Sequence, residues 1–304
     1  MWFKNARIYN VDYSEINHFF KDERELQDAL ESASFRPCMA QEVSTIGFAP
    51  LFGPDSAYCF VNGSDVFCRL VEETKLLPSS VIKTELDDQV RKREQELQRP
   101  VKKTEKEALK TAVLNQLLSK AFATRRELLV WCNPEHQMVA IGATSAKRAE
   151  KALAMLRQAF GSFPATVPQP RCVVEDRMTS WLSPKGQLPS VLQLGTDTVL
   201  KSPEDDGGVI RASREDLSSD EIAVHVDAGK VATEIQVVYD DSLSMVLGSD
   251  LSLKRLKPLD QYLERNLPAK SEDAAADIQA HLILQGQLLG EVSELLMEIF
   301  DCDR

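Results

Sequence analysis

Tyr58-Cys59-Phe60-Val61-Asn62-Gly63-Ser64-Asp65-Val66-Phe67-Cys68-Arg69-Leu70-Val71 sets two apolar runs on either side of an Asn-Gly turn, the pattern of a β-hairpin. Asn62-Gly63-Ser64 also matches a glycosylation sequon, but hairpin chemistry accounts for it. Downstream, Leu128 to Cys132 and Met138 to Ala143 read as a second hairpin around Asn133-Pro134-Glu135. The Ala-rich stretch Ala146 to Phe160 reads as a helix stopped by Gly161 and Pro164. Upstream, Trp2 to Val11 reads as a strand with Phe3, Ile8 and Val11 among its apolar members. Ile16, Phe19, Phe20, Leu26 and Leu30 then recur at helical spacing. Strand, hairpin and helix therefore recur without a residue-level repeat. That alternation predicts an α+β fold.

Between the two hairpins lies a basic island, Lys75 to Arg126. It holds 13 Lys/Arg against 7 acids, net +6, whereas the rest of the chain holds 23 Lys/Arg and 40 acids, net −17. Sorting of this kind suits a polyanion held at one face and repelled elsewhere. A solvated helix face is the alternative. Val81, Ile82, Leu86, Val90 and Leu97 mark one helix from Val81 to Leu97, ended by Pro100. Thr104 and Glu107 form a T-x-x-E box opening a second helix through Leu109, Val113, Leu114, Leu117, Leu118 and Phe122. Arg99, Lys102, Lys103 and Lys106 then fall at a helix junction and first turn, where cations oppose the helix dipole unless an anion is near. This placement favours phosphate binding.

The stretch from Pro164 to Asp206, rich in Pro, Ser and Gly, reads as a connection between subdomains. Ser218-Ser219-Asp220-Glu221 opens a helix that Gly229 closes, and Val231 to Tyr239 alternates as a strand with Ser244 to Leu247 as its partner. Ala274 to Phe300 is a long helix for which core packing is the default role. The chain has 304 residues, 43% hydrophobic and 27% charged, with net charge −11. That is ample for a sizeable core. No apolar run reaches transmembrane length, and Met1-Trp2-Phe3-Lys4-Asn5 is not a secretory signal. Six scattered cysteines without a C-x-x-C pair read as reduced, mostly buried thiols, and four distant histidines suggest no metal site.

Catalytic signatures are sparse. Gly229-Lys230 has Val224 where a P-loop needs its first glycine, and no dinucleotide fingerprint, nucleophile elbow or zincin motif occurs. Pro54-Asp55 with Glu73-Thr74-Lys75 loosely matches the carboxylates and lysine of metal-dependent nucleases. Helix-turn-helix, zinc-finger, basic-zipper and RNP patterns are absent, and aromatics are few near the island. The mode left is Lys/Arg contact to the phosphate backbone without base readout. No cofactor is expected.

Several segments together carry a resemblance. Trp2-Phe3-Lys4-Asn5, Lys102-Lys103-Thr104-Glu105-Lys106, Asp206-Gly207-Gly208-Val209-Ile210-Arg211-Ala212, Ala228-Gly229-Lys230-Val231 and Ser252-Leu253-Lys254-Arg255-Leu256-Lys257 recur in the same order in the RdgC family of bacterial recombination-associated proteins. The resemblance implies a non-enzymatic, cytoplasmic, nucleoid-associated protein. It also implies an elongated multi-subdomain crescent of mixed sheets and helices, two of which close into a ring around double-stranded DNA and restrain RecA-dependent recombination and fork repair. It places Phe122 at a ring-closing contact, with Arg214 and Glu215 in a polar contact near the same gate, where family members have a Lys-Gln pair.

Residues 1–75 are expected to form an N-terminal α+β part, 76–127 a basic helical part, 128–165 a hairpin-helix part, and 166–304 a C-terminal α+β part. Expected phosphate contacts are Arg91, Lys92, Arg93, Arg99, Lys102, Lys103, Lys106 and Lys110, with Lys254, Arg255 and Lys257 as a secondary patch. A non-enzymatic adaptor gripping an acidic protein, and a metal-dependent nuclease, are the alternatives.

Overall fold

In a computed structural model, which describes residues 2–183, 186–204 and 207–303, the chain is α+β. Strand β1 (Asn5–Val11) is followed by helices α1 (Asn17–Lys21) and α2 (Glu23–Ser32) and strand β2 (Ser44–Ala49). The hairpin β3 (Cys59–Asn62) and β4 (Asp65–Lys75) leads into helices α3 (Ser79–Leu97) and α4 (Lys103–Leu118). A second hairpin, β5 (Ala123–Asn133) and β6 (Met138–Ile141), precedes helix α5 (Ala146–Phe160). Short β7 (Ala165–Thr166) and β8 (Gln169–Pro170) then lead to α6 (Val174–Trp181), β9 (Leu192–Lys201) and β10 (Val209–Ala212). Helix α7 (Asp220–Asp227), strands β11 (Val231–Tyr239), β12 (Leu243–Gly248) and β13 (Leu253–Pro258), helices α8 (Asp260–Asn266) and α9 (Ala274–Ile299), and β14 (Cys302–Asp303) complete it.

Ten strands run side by side in the order β10-β9-β11-β12-β13-β1-β6-β5-β4-β2, with β3 and β7 attached at its flank. Among the described residues every named ladder is antiparallel. Strand β1 joins the two halves, pairing β6 on one side and β13 on the other. In this central region both faces of the sheet are covered, so alternate residues enter different cores. Phe67, Leu129, Trp131 and Met138 pack on the side of α6 and α9, while Cys68, Leu70, Val130 and Ile141 pack on the side of α2 and α5.

The two hairpins form as the sequence predicts, with Asn62 facing Asp65 across the first turn and Gly63 at φ 61°. Several elements differ from expectation for local reasons. Strand β1 starts at Asn5 because the Phe3 N–H turns away to Gln285 Oε1 of α9, 2.7 Å, burying the Phe3 ring. The helix expected through Leu30 breaks in two at Asp22, whose carboxylate accepts from the N–H groups of Arg24 and Glu25 and so starts α2 afresh. The expected connection from Pro164 to Asp206 instead contains β7, β8, α6 and β9, whose alternation was obscured by Pro and Gly at its margins; Asp206 itself lies outside the described residues. Helix α7 starts one residue later than the box at Ser218 predicts, with Ser219 as its N-cap.

Candidate nucleic-acid interface

Strands β4 and β5 stay paired from Val66↔Cys132 to Lys75↔Ala123, and the outer part of this ribbon leaves the core: Ala123 to Glu127 are exposed. Helices α3 and α4 sit at its tip as a two-helix arm. Leu86, Val113 and Leu118 are its buried residues, and none belongs to either core cluster. Gln98 turns left-handed at φ 51° to end α3, and Pro100 follows in the junction.

Helix α4 opens earlier than Thr104 and Glu107 predict. Lys102 is the N-cap, and its backbone N–H donates to Glu105 Oε2 at 2.9 Å, leaving Thr104 inside the first turn. Glu105 also receives both guanidinium arms of Arg99, at 2.8 and 3.0 Å. The Arg99 guanidinium, helped by the Lys102 N–H, holds the Glu105 carboxyl down at about 2. Arg99 is thereby spent on the helix start. Arg91 pairs with Asp88 at 3.0 Å and Arg93 with Glu96 at 2.9 Å, each three residues along α3.

The lysines differ. Among the described residues Lys83, Lys92, Lys102, Lys103, Lys106 and Lys110 form no ion pair. Four of them rim one groove of about 500 Å³ between the helices, with Lys83 on α3 facing Lys103, Lys106 and Lys110 on α4 above an apolar floor of Ile82 and Leu86. Glu107 is the carboxylate on that rim. The opposite groove carries Lys92 with the Arg93–Glu96 pair and Glu105. The island thus divides into a groove rimmed by four unpaired lysines and a groove in which one unpaired lysine, Lys92, stands beside a neutralised arginine. Lys83 belongs to the lysine face but was missed from sequence, because that face forms only where α3 and α4 pack together.

The secondary patch lies on β13. Lys254 bonds Glu234 at 2.8 Å and Arg255 bonds Asp197 at 2.6 Å, while Lys257 is exposed and forms no ion pair among the described residues. Burial pushes the Asp197 carboxyl up, but the Arg214 N–H, the Arg255 guanidinium and the Ser213 hydroxyl together hold it below its ordinary value. Arg214 and Glu215 are thereby fixed beside β9, Glu215 through its N–H to the Thr196 carbonyl. Strand β9 lies six ladder steps from β5 in the strand order, so one chain does not bring them to Phe122. Phe122 stands at the foot of the arm, 84% exposed, near exposed Leu76, whose N–H donates to the Phe122 carbonyl.

The nuclease pattern is placed in structural roles. Glu73 is buried, accepting from the Cys38 N–H and from Arg125 Nε, both at 2.7 Å. Lys75 Nζ donates to the carbonyls of Met39, Ala40 and Leu118 and so braces the arm against the loop before β2. Asp55 lies in the turn between β2 and β3, and among the described residues no cluster of three His, Cys, Asp or Glu could hold a metal. No described helix is long and apolar enough to cross a membrane.

Comparison with known proteins covers nearly all of this framework. A family model described as "Putative exonuclease, RdgC" matches residues 1–302. The recombination-associated protein RdgC of Yersinia enterocolitica is 39% identical over 300 residues, covering 98% of this chain and 97% of its own length. Those of Yersinia pestis and Yersinia pseudotuberculosis are 38% identical over the same span. With the family model matched over residues 1–302 and relatives 38–39% identical over 98% of its length, this chain belongs to the RdgC family.

Proposed function

We propose that the protein binds double-stranded DNA without sequence preference, gripping phosphates with the lysine face of the arm. One observation carries this reading: Lys83, Lys103, Lys106 and Lys110 gather on an arm that stands clear of an acidic body, and among the described residues no carboxylate neutralises them in an ion pair. The projecting position lets duplex phosphates approach these ammonium groups while the net −17 remainder repels them. The paired arginines contribute less, since each would have to exchange a carboxylate for a phosphate. Recombination association in the relatives' name agrees with a DNA ligand.

In this reading two chains close into a ring around the duplex in the nucleoid, and occupancy of the duplex restrains RecA-dependent exchange. The protein acts by holding DNA rather than cutting it, a view supported by the commitment of Glu73 and Lys75 to bracing the arm. Because Phe122 and Arg214-Glu215 are far apart in the strand order, a shared gate takes Phe122 from one subunit and Arg214-Glu215 from the other.

Fluorescence anisotropy with duplexes of unrelated sequence, over a series of salt concentrations, tests the contact. Each neutralised phosphate steepens the slope of log K against log salt by about 0.9. Lys103→Glu with Lys106→Glu is expected to weaken all duplexes alike and flatten the slope by about 2. Unchanged affinity in this double variant would remove the arm as the DNA face.

A further inference from the structure

A cavity of about 360 Å³ opens at the Asn5 end of β1. Trp2, Lys4 and Asn5 form one wall, with Arg69 of β4, Glu127 of β5 and Arg148 of α5 around the rest. Its volume lies within the range of small-ligand sites, about 300–1,000 Å³.

The two arginines enter this space with unused donors. Arg69 gives Nη1 to Glu127 at 3.0 Å and Nη2 to the Pro50 carbonyl, but among the described residues its buried Nε has no hydrogen-bond partner. Arg148 Nε lies 3.5 Å from Glu72 Oε2, an ion pair without hydrogen-bond geometry, and among the described residues its Nη2 is buried without a hydrogen-bond partner. Glu72 is already held by Lys151. The lining thus carries three cations, Lys4, Arg69 and Arg148, against one carboxylate, Glu127, while outside it Glu72 is shared by Arg148 and Lys151. A guanidinium cannot shed its proton, and buried N–H groups without acceptors are unfavourable. The chemistry asks for an anion with several acceptor oxygens and close to two negative charges.

We propose that this cavity binds a phosphomonoester, its phosphate lying among Arg69, Arg148 and Lys4 and its nucleoside beside Trp2. A phosphomonoester approaches a charge of −2 at neutral pH, which matches the surplus, and its oxygens suit forked guanidinium donors. A phosphodiester within a duplex carries one charge and continues on both sides, so a walled cavity favours a chain end. The terminal phosphate of a DNA strand and a free nucleotide share this chemistry. The site is separate from the arm lysines and does not rest on their role.

Isothermal titration calorimetry of the full chain with inorganic phosphate, dTMP, and 5′-phosphorylated and 5′-hydroxyl oligonucleotides tests the proposal. Inorganic phosphate and dTMP should bind saturably, and Lys4→Ala and Arg148→Gln should each weaken them about tenfold or more. The Lys103→Glu, Lys106→Glu variant should keep this binding unchanged, whatever becomes of its duplex affinity. Tighter binding of the 5′-phosphorylated oligonucleotide than of its 5′-hydroxyl counterpart identifies a strand end as the source, and equal binding of the two identifies a free nucleotide. Arg148 also meets Glu72, so if Arg148→Gln fails to fold, Lys4→Ala at an exposed position decides. The absence of saturable phosphate and dTMP binding, or wild-type affinity in Lys4→Ala, overturns the proposal.

Discussion

Glu105 shows how one side chain can set both a helix start and a charge pattern. Its carboxylate serves the Lys102 N–H and both arms of Arg99, so its pKa falls to about 2. A carboxyl whose folded pKa is depressed stabilises the folded state fully above its unfolded value, near 4.5, and loses that contribution as pH falls toward about 2. Helicity of the arm should therefore drop across that window in circular dichroism. Glu105→Gln should begin lower at neutral pH and show a shallower drop; an identical profile would show that Glu105 does not set the start of α4. Phe122 makes the opposite case, an apolar residue with almost no partner in its own chain. Aromatic anchors in desolvated interfaces are worth about 2 kcal/mol or more. Phe122→Ala should leave the melting temperature unchanged and the chain dimeric by sedimentation, yet release closed circular DNA more readily. Loss of fold would mean that Phe122 packs within its own subunit.

At the scale of elements, the arm is separable. Its buried residues Leu86, Val113 and Leu118 join neither core, and Lys75 and Ala123 are already paired where it departs. Replacing residues 77–121 with a short turn should keep both cores folded, read as a cooperative melt, while duplex affinity collapses. A protein that fails to fold without the arm would contradict this separation. The elements most readable from sequence were those whose signals are local: the Asn-Gly hairpin, the Ala146–Phe160 helix closed by Gly161 at φ 74°, and α3 before Pro100. The break at Asp22 was less readable, because apolar spacing continues through it while a single carboxylate captures two N–H groups. In the candidate site, charge sorting was readable as a total, and the i,i+3 pairs Asp88–Arg91 and Arg93–Glu96 were present in the spacing. The Arg99–Glu105 pair was not, since it depends on how the junction folds back. Nor could sequence assign Lys83 to a face with Lys103, Lys106 and Lys110, because that face exists only once two helices pack.

For the whole molecule, a ring makes a prediction that an open clamp does not. Bound to a nicked or closed circle, the protein should resist a high-salt wash, whereas on a short linear duplex it should slide from the ends. Filter retention of the two forms at matched length measures this. Equal loss from both would favour simple surface contact by the arm lysines.

The position of β1 has a consequence for the order of synthesis. Strand β1 is made first, but its neighbour β13 comes about 250 residues later in the chain, and Gln285, which takes the Phe3 N–H, comes later still. Contacts so distant along the chain close slowly. On the ribosome the β3–β6 ribbon and its arm can form from neighbouring segments, presenting lysines while one edge of β1 is still open. A strand edge left open is a site for pairing with another chain. The nascent protein therefore exposes its arm lysines before it has finished protecting itself from its own kind, and a premature stop before Leu253 leaves a product that carries the arm yet is prone to aggregate.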